Sequence, residues 1–185
     1  MHIAKKGLRV LGIAESFSSR KYSILAGVVM RKDLRIDGVA LSRITVGGDD
    51  ATEGVLAIYR SLRRRDINVI LVSGCVIAWF NILDPASVFR ETGVPVIVVT
   101  YECSEGLAPD ICRHFPGDVT RLACYESLGE RIPCRLPTGF TVYIRPLGLT
   151  PEDAFRLCQD FTMDGKIPEP LRVARLVARS VLRTS

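Results

Sequence analysis

Residues Asn68–Val99 read NVILVSGCVIAWFNILDPASVFRETGVPVIVV. Two runs within it, Val69–Val72 and Val94–Val99, are rich in Val and Ile and have the length of strands buried on both faces. Between them stands a helix signal, with Asp84 as N-cap, Pro85 at the first helical position and Gly93 just past the end. Strand, helix and strand over about thirty residues make a βαβ unit, so the two strands are expected to be parallel. Ser73–Leu83 is too long for a tight turn. Ligands of open α/β sheets bind beyond the carboxyl ends of strands. A site is therefore expected along Ser73-Gly74 and the loop that follows.

Towards the N-terminus, Leu8–Ile13 and Tyr22–Met30 read as apolar strands, joined through a turn at Lys32-Asp33 to a weaker edge strand, Val39–Val46. Asp37-Gly38 marks a hairpin or bulge position. Gly47-Gly48 is a connector, and Asp50 with Glu53 matches a capping box before a helix whose face is Val55, Ile58, Tyr59 and Leu62. That helix ends in Arg63-Arg64-Arg65, where cations suit the helix dipole. Towards the C-terminus, Tyr101–Pro116 reads as irregular and Asp118 caps a helix through Leu128. Arg131–Gly139 reads as a loop, and Phe140–Arg145 as a half-exposed strand or short extension. Two more helices open at Thr150-Pro151 and Pro168-Glu169-Pro170; the last buries Leu171, Ala174, Ala178, Val181 and Leu182 beside Arg172, Arg175, Arg179 and Arg183. The pattern is three-layer α/β. A mixed five-stranded sheet of order 3-2-1-4-5, with strand 2 antiparallel to the rest, accommodates it. This is the ribonuclease H-like arrangement, and it sets Ala14-Glu15 beside Ser73-Gly74.

Composition narrows the class. The chain has 185 residues, 48% of them apolar, which suits one domain over residues 1–185. No apolar run reaches the roughly 18 residues a membrane helix needs, and the N-terminal apolar stretch is short for a signal peptide. A soluble, cytoplasmic protein is expected. A net charge of +5 permits an acidic partner such as nucleic acid without establishing one. Asn and Gln are confined to Asn68, Asn81 and Gln159, a scarcity that fits a thermophile. Six cysteines, none in CxxC spacing, argue against a zinc site. Cys75 and Cys158 read as buried thiols; the four between Cys103 and Cys134 leave a disulfide open as the alternative.

Several blocks in order, LGIAESF from Leu11, VGGDDAT from Val46, SGCVIAWFNILD from Ser73, TGVPVIVVT from Thr92 and PEPLRVARLVA from Pro168, resemble an archaeal family, endonuclease dU. That family is similar to endonuclease V. The resemblance runs from about Leu8 to Leu182 and implies a DNA-repair hydrolase on a ribonuclease H-like fold. Its implied reaction is metal-dependent cleavage of DNA at deaminated bases such as deoxyuridine, with Mg²⁺ or Mn²⁺ held by converging carboxylates. The chain departs from the family pattern at the acids themselves. Ala14 stands where the first strand carries its second-to-last residue as Asp, Gly47 where the next segment begins with Asp, Ser73 where the fourth strand ends in Asp, and Arg175 where the last helix carries His or Asp.

Two readings follow from the resemblance. In one, the chain is a divergent member with a degraded nuclease site that holds DNA or another nucleic acid through Gly74, Asn81, Arg172 and Arg175. In the alternative, a rebuilt catalytic site uses Glu15 and Asp50 as ligands to one metal. Asp50 also reads as a helix N-cap, Asp84 more so, and Asn81 as a residue satisfying loop backbone groups. Ser73 has no histidine partner in view, since His2 and His114 stand in unconvincing contexts. Trp79 and Phe80 read as core in preference to base-stacking residues. A third class, a structural or partner-binding protein with a vestigial cleft, is compatible with the same sequence.

Overall fold

In the computed structural model the described residues are 7–17, 21–103 and 106–184. The first three strands, β1 (Arg9–Ser16), β2 (Tyr22–Arg31) and β3 (Ile36–Thr45), form an antiparallel meander. Its register shifts between Val29 and Met30, opposite Asp37-Gly38, so the bulge falls where the Asp-Gly pair allows it. Helix α1 (Ala51–Leu62) leads into β4 (Val69–Ser73), and a small two-stranded ribbon follows, β5 (Val76–Ile77) with β6 (Asn81–Ile82). Helix α2 (Pro85–Thr92) then returns the chain to β7 (Val96–Thr100), which lies parallel to β4. Asp84 caps α2, accepting from the Ala86 amide at 2.9 Å, and Gly93 closes it in the left-handed region at φ 67°. The βαβ unit is thus built from the residues that announce it.

The remaining elements are α3 (Ala108–His114), α4 (Val119–Glu126), β8 (Ile132–Arg135), β9 (Thr141–Leu147), α5 (Pro151–Asp160) and α6 (Glu169–Thr184). The sheet order is β3-β2-β1-β4-β7-β9-β8. The five expected strands occur in the expected order, and β9 and β8 extend the sheet beyond β7 as an antiparallel pair. Strand β8 falls within Arg131–Gly139, which reads as a loop because Pro133, Pro137 and Gly139 punctuate it. Pro133 is tolerated because β8 is an edge strand, where a missing amide donor leaves no ladder bond broken. Helix α3 falls within the segment that reads as irregular; its Pro109 occupies the first turn, where proline costs nothing. Asp50 precedes α1 without capping it: its side chain makes no cap hydrogen bond, so the expected capping box does not form.

Alternate residues of the central strands feed two cores. Leu11, Ile13, Ile70, Val72, Val96 and Val98 pack with Val55 and Ile58 of α1 and Val88 of α2. On the other face, Val10, Val69, Leu71, Ile97 and Val99 pack with Leu157, Phe161 and Leu171 of the α5–α6 layer. All six cysteines are free thiols; Cys75, Cys134 and Cys158 are buried. Helix α6 approaches β1 so closely that a Cβ on Gly12 would lie 2.4 Å from the backbone carbonyl carbon of Pro170. That contact seats the amino end of α6 over the carboxyl half of β1. Gly12→Ala is expected to lower unfolding stability by about 1–3 kcal/mol through overpacking, measured by urea denaturation.

Candidate functional site

Strand β1 pairs in parallel with β4, Ile13 opposite Val72, so Ala14-Glu15 and Ser73-Gly74 emerge side by side at the carboxyl edge. A cavity of about 510 Å³ opens there, between the ends of β1, β4 and β7 and the start of α6. Glu15, Ser73, Gly74, Tyr101, Glu102, Lys166 and Arg175 supply its polar lining. Glu15 is held from both sides. The Ser23 hydroxyl donates to its Oε2 at 2.5 Å, and the Ala78 amide points to its Oε1 at 3.4 Å. The Ser73 and Tyr101 hydroxyls stand 3.1 Å apart. Burial pushes the Tyr101 phenol up from its ordinary value, against the opposing pull of Ser73 and Arg175, so at neutral pH it remains a donor. The Arg175 guanidinium lies over the Tyr101 ring, 5.8 Å from its centroid. Lys166 Nζ donates to the Tyr101 carbonyl at 3.4 Å and meets Glu102 at the rim at 3.2 Å.

The charged groups of this lining are two carboxylates, Glu15 and Glu102, and two cations, Lys166 and Arg175, a formal sum of zero. Mg²⁺ takes hard, mostly anionic oxygen ligands. Here the one interior carboxylate is already engaged by Ser23, and a guanidinium shares the cavity. Among the described residues no three His, Cys, Asp or Glu side chains converge as a metal site. These residues do not form the donor set that Mg²⁺ or Mn²⁺ requires.

Asp50 does not line the cavity; its carboxylate accepts from the Thr45 amide at 3.0 Å, the Thr45 hydroxyl at 2.9 Å and Asn81 Nδ2 at 2.6 Å. Burial raises its carboxyl, but the bonds from Asn81 and Thr45 outweigh it and hold the group below its ordinary value. Asn81 is fully buried, and it also donates to the Thr45 carbonyl at 2.8 Å and accepts from the Ala51 amide at 2.9 Å. Asn81 therefore has no atom available to nucleic acid; it pins β6 to the end of β3 and the start of α1. Arg172 turns to Glu169, with bonds of 2.7–3.0 Å, and does not line the cavity. Gly74 and Arg175 do line it, as do the expected positions Glu15 and Ser73. Tyr101 and Lys166 enter unannounced: each stands in an irregular segment, and only the fold carries them to the end of β4. His2 lies outside the described residues, and His114 packs on Trp79 and Phe80.

Trp79 is not core. It is 48% exposed, and three successive residues, Ala78, Trp79 and Phe80, have φ of 42°, 57° and 62°. Non-glycine residues rarely adopt that conformation, and a run of three needs strong external support. Arg121 of α4 provides it, donating to the carbonyls of Phe80 at 2.5 Å, Gly48 at 2.8 Å and Gly47 at 3.1 Å. Asp118 anchors the same guanidinium at 3.0 Å. A Cβ on Gly47 would strike the Trp79 ring at 2.8 Å. The position where the family resemblance puts a carboxylate is thus covered here by an indole.

The Asp50–Asn81–Thr45 bracket makes a testable statement about stability. Asn81→Ala strands the buried Ala51 amide and frees the Thr45 carbonyl, and is expected to cost about 1–3 kcal/mol. The Asp50 contribution is full above the unfolded carboxyl's ordinary 3.8 and is lost as pH falls through the lower folded value. The stability gap between wild type and Asp50→Asn, followed by urea denaturation, is therefore expected to close as the pH drops below about 4.

With this geometry in place, likeness to other proteins can be weighed. The sequence pattern of the Endonuclease dU family matches residues 6–182. A UPF0215 protein of Pyrobaculum calidifontis is 38% identical over 173 residues, covering 92% of this chain and 95% of the relative. A protein of unknown function from Archaeoglobus fulgidus, solved by crystallography, superposes with a TM-score of 0.81 at 30% identity, covering 95% of this chain and 98% of that one. Endonuclease V of Ciona intestinalis, crystallised with a 24mer DNA containing an inosine, superposes with a TM-score of 0.68 at 15% identity, covering 97% of this chain and 87% of that one. That last likeness carries the ribonuclease H-like fold alone. Family match, relatives and fold agree: the chain belongs to the endonuclease dU family, on a fold it shares with endonuclease V.

Proposed function

We propose that this protein binds nucleic acid at the carboxyl edge of β1, β4 and β7 without metal-dependent cleavage, on a nuclease site that has lost its acids. The observation that carries the reading is the balanced charge of this lining, where the family resemblance implies an anionic one. Arg175 and Lys166 share the cavity with a single interior carboxylate. A guanidinium that would repel Mg²⁺ is well matched to a phosphate oxygen. The Ser73 and Tyr101 hydroxyls add uncharged donors at the same place. Glu15, held by Ser23, orients this end of β1 and is not used as a ligand to metal.

Several facts support a nucleic-acid partner in particular. The net charge is +5. The fold is that of a protein crystallised with DNA. No helix among the described residues is long and apolar enough to cross a membrane, so a lipid-embedded role has no support from the helices.

The test combines binding and incision. By fluorescence anisotropy, a single-stranded or uracil-containing oligonucleotide is expected to bind equally well in Mg²⁺ and in EDTA. Arg175→Ala is expected to weaken binding and to reduce the slope of log affinity against log salt by about 0.7, the share of one single-strand phosphate contact. No incision is expected with Mg²⁺ or Mn²⁺. Metal-dependent incision of uracil-containing DNA that disappears in Glu15→Ala would overturn the proposal.

A further inference from the structure

We infer that Trp79 is a stacking platform for an unpaired nucleobase of the strand whose phosphates enter the adjacent cavity. The inference rests on the nucleic-acid reading above and adds to it the part of the ligand that is recognised. Its starting point is the left-handed run Ala78-Trp79-Phe80. The run is the three-residue turn of the β5–β6 hairpin, where positive φ is common, and non-glycine residues hold it there at a cost that glycine would avoid. Arg121 braces it with one bond to the Phe80 carbonyl and two to the adjoining Gly47 and Gly48 carbonyls, an Asp118 anchor and a guanidinium 4.1 Å from the Phe115 ring centroid. The Gly47 amide adds a bond to the Ala78 carbonyl at 2.8 Å.

The effect of this support is to display one indole. Gly47 lies against the ring from below, where any Cβ would collide with it. Phe115 and His114 meet it at tilts of 52° and 59°, with centroids 5.2 and 5.7 Å away. The ring is fixed on those sides and about half of the residue remains in solvent. A buried role would not leave it exposed, and a rigid backbone removes the entropy that a mobile tryptophan would lose on stacking. The platform also adjoins the cavity. Ile77 lines that cavity, and the Ala78 amide, one residue before the indole, points at Glu15. Cations for the backbone beside an aromatic for the base are the two components of single-strand binding. A duplex, whose bases are already stacked, offers the indole no free face.

Trp79 is the chain's one tryptophan, so its fluorescence reports on the platform alone. Two labelled strands of equal length would be titrated, one with bases and one built of abasic sites. Both are expected to bind by anisotropy, while only the base-bearing strand quenches Trp79 emission. Trp79→Ala is expected to weaken the base-bearing strand about tenfold and leave the abasic strand unchanged; Trp79→Phe is expected to retain most of the affinity. If the base-bearing strand binds without quenching and Trp79→Ala binds it as wild type does, the platform is wrong and the cavity reading stands. If neither strand binds, the nucleic-acid reading fails and the platform with it.

Discussion

The parallel pairing of β1 with β4 is the constraint on which the remainder of this molecule rests. It is enforced by burial on both faces. Val10 and Leu71 feed one core while Leu11 and Ile70 feed the other, so a slip of one residue would invert both sets at once. That register sets Ala14-Glu15 against Ser73-Gly74, and the close seat of Pro170 on Gly12 brings Arg175 over the same edge. The cavity is thus a product of the core, and its chemistry can change without disturbing the scaffold that shapes it.

On the proposed reading the chemistry has changed, and electrostatics gives the direction. A divalent cation is held by converging carboxylates because their mutual repulsion is relieved only by the metal. Take the acids away, put a guanidinium among the remaining groups, and the field that attracts a cation is gone. What replaces it is suited to an anion: Arg175 on the Tyr101 ring, Lys166 at the rim, and paired hydroxyls between them. The surviving acids are taken up structurally. Glu15 accepts from Ser23, and Asp50 ties β3 to β6 through Thr45 and Asn81. An acid engaged in this way is a poor marker of catalysis.

Much of the scaffold was legible in the sequence because its signals are local. Strong apolar runs, Asp84-Pro85 and Gly93 define the βαβ unit, and Thr150 and Asp118 cap their helices with side-chain bonds as expected. Strand β9 was legible in Phe140–Arg145, but β8 was harder to read, because it is short, proline-bearing and paired only with β9. Of the residues that line the cavity, those at or beside regular elements were legible: Glu15 on β1, Ser73-Gly74 at the end of β4 and Arg175 on α6. Lys166 and Tyr101 escaped because nothing in their neighbours distinguishes them from solvent-facing residues. Asp50 and Asn81 were open to two readings for a related reason. A polar residue beside a site looks the same in sequence whether it faces a ligand or closes a backbone bracket. Trp79 was misread because an apolar run around an indole normally means core; its exposure depends on Arg121, more than forty positions away in a segment with no motif.

The central claim is that the cavity at the carboxyl edge accepts an anion and not a divalent cation. Crystals soaked in Mn²⁺ and in inorganic phosphate, with anomalous scattering recorded for the metal, address it most directly. The account predicts phosphate density on Arg175, within reach of Ser73 and Tyr101, and no anomalous peak at Glu15. A Mn²⁺ peak coordinated by Glu15 would contradict it and return the protein to the metal-dependent nucleases.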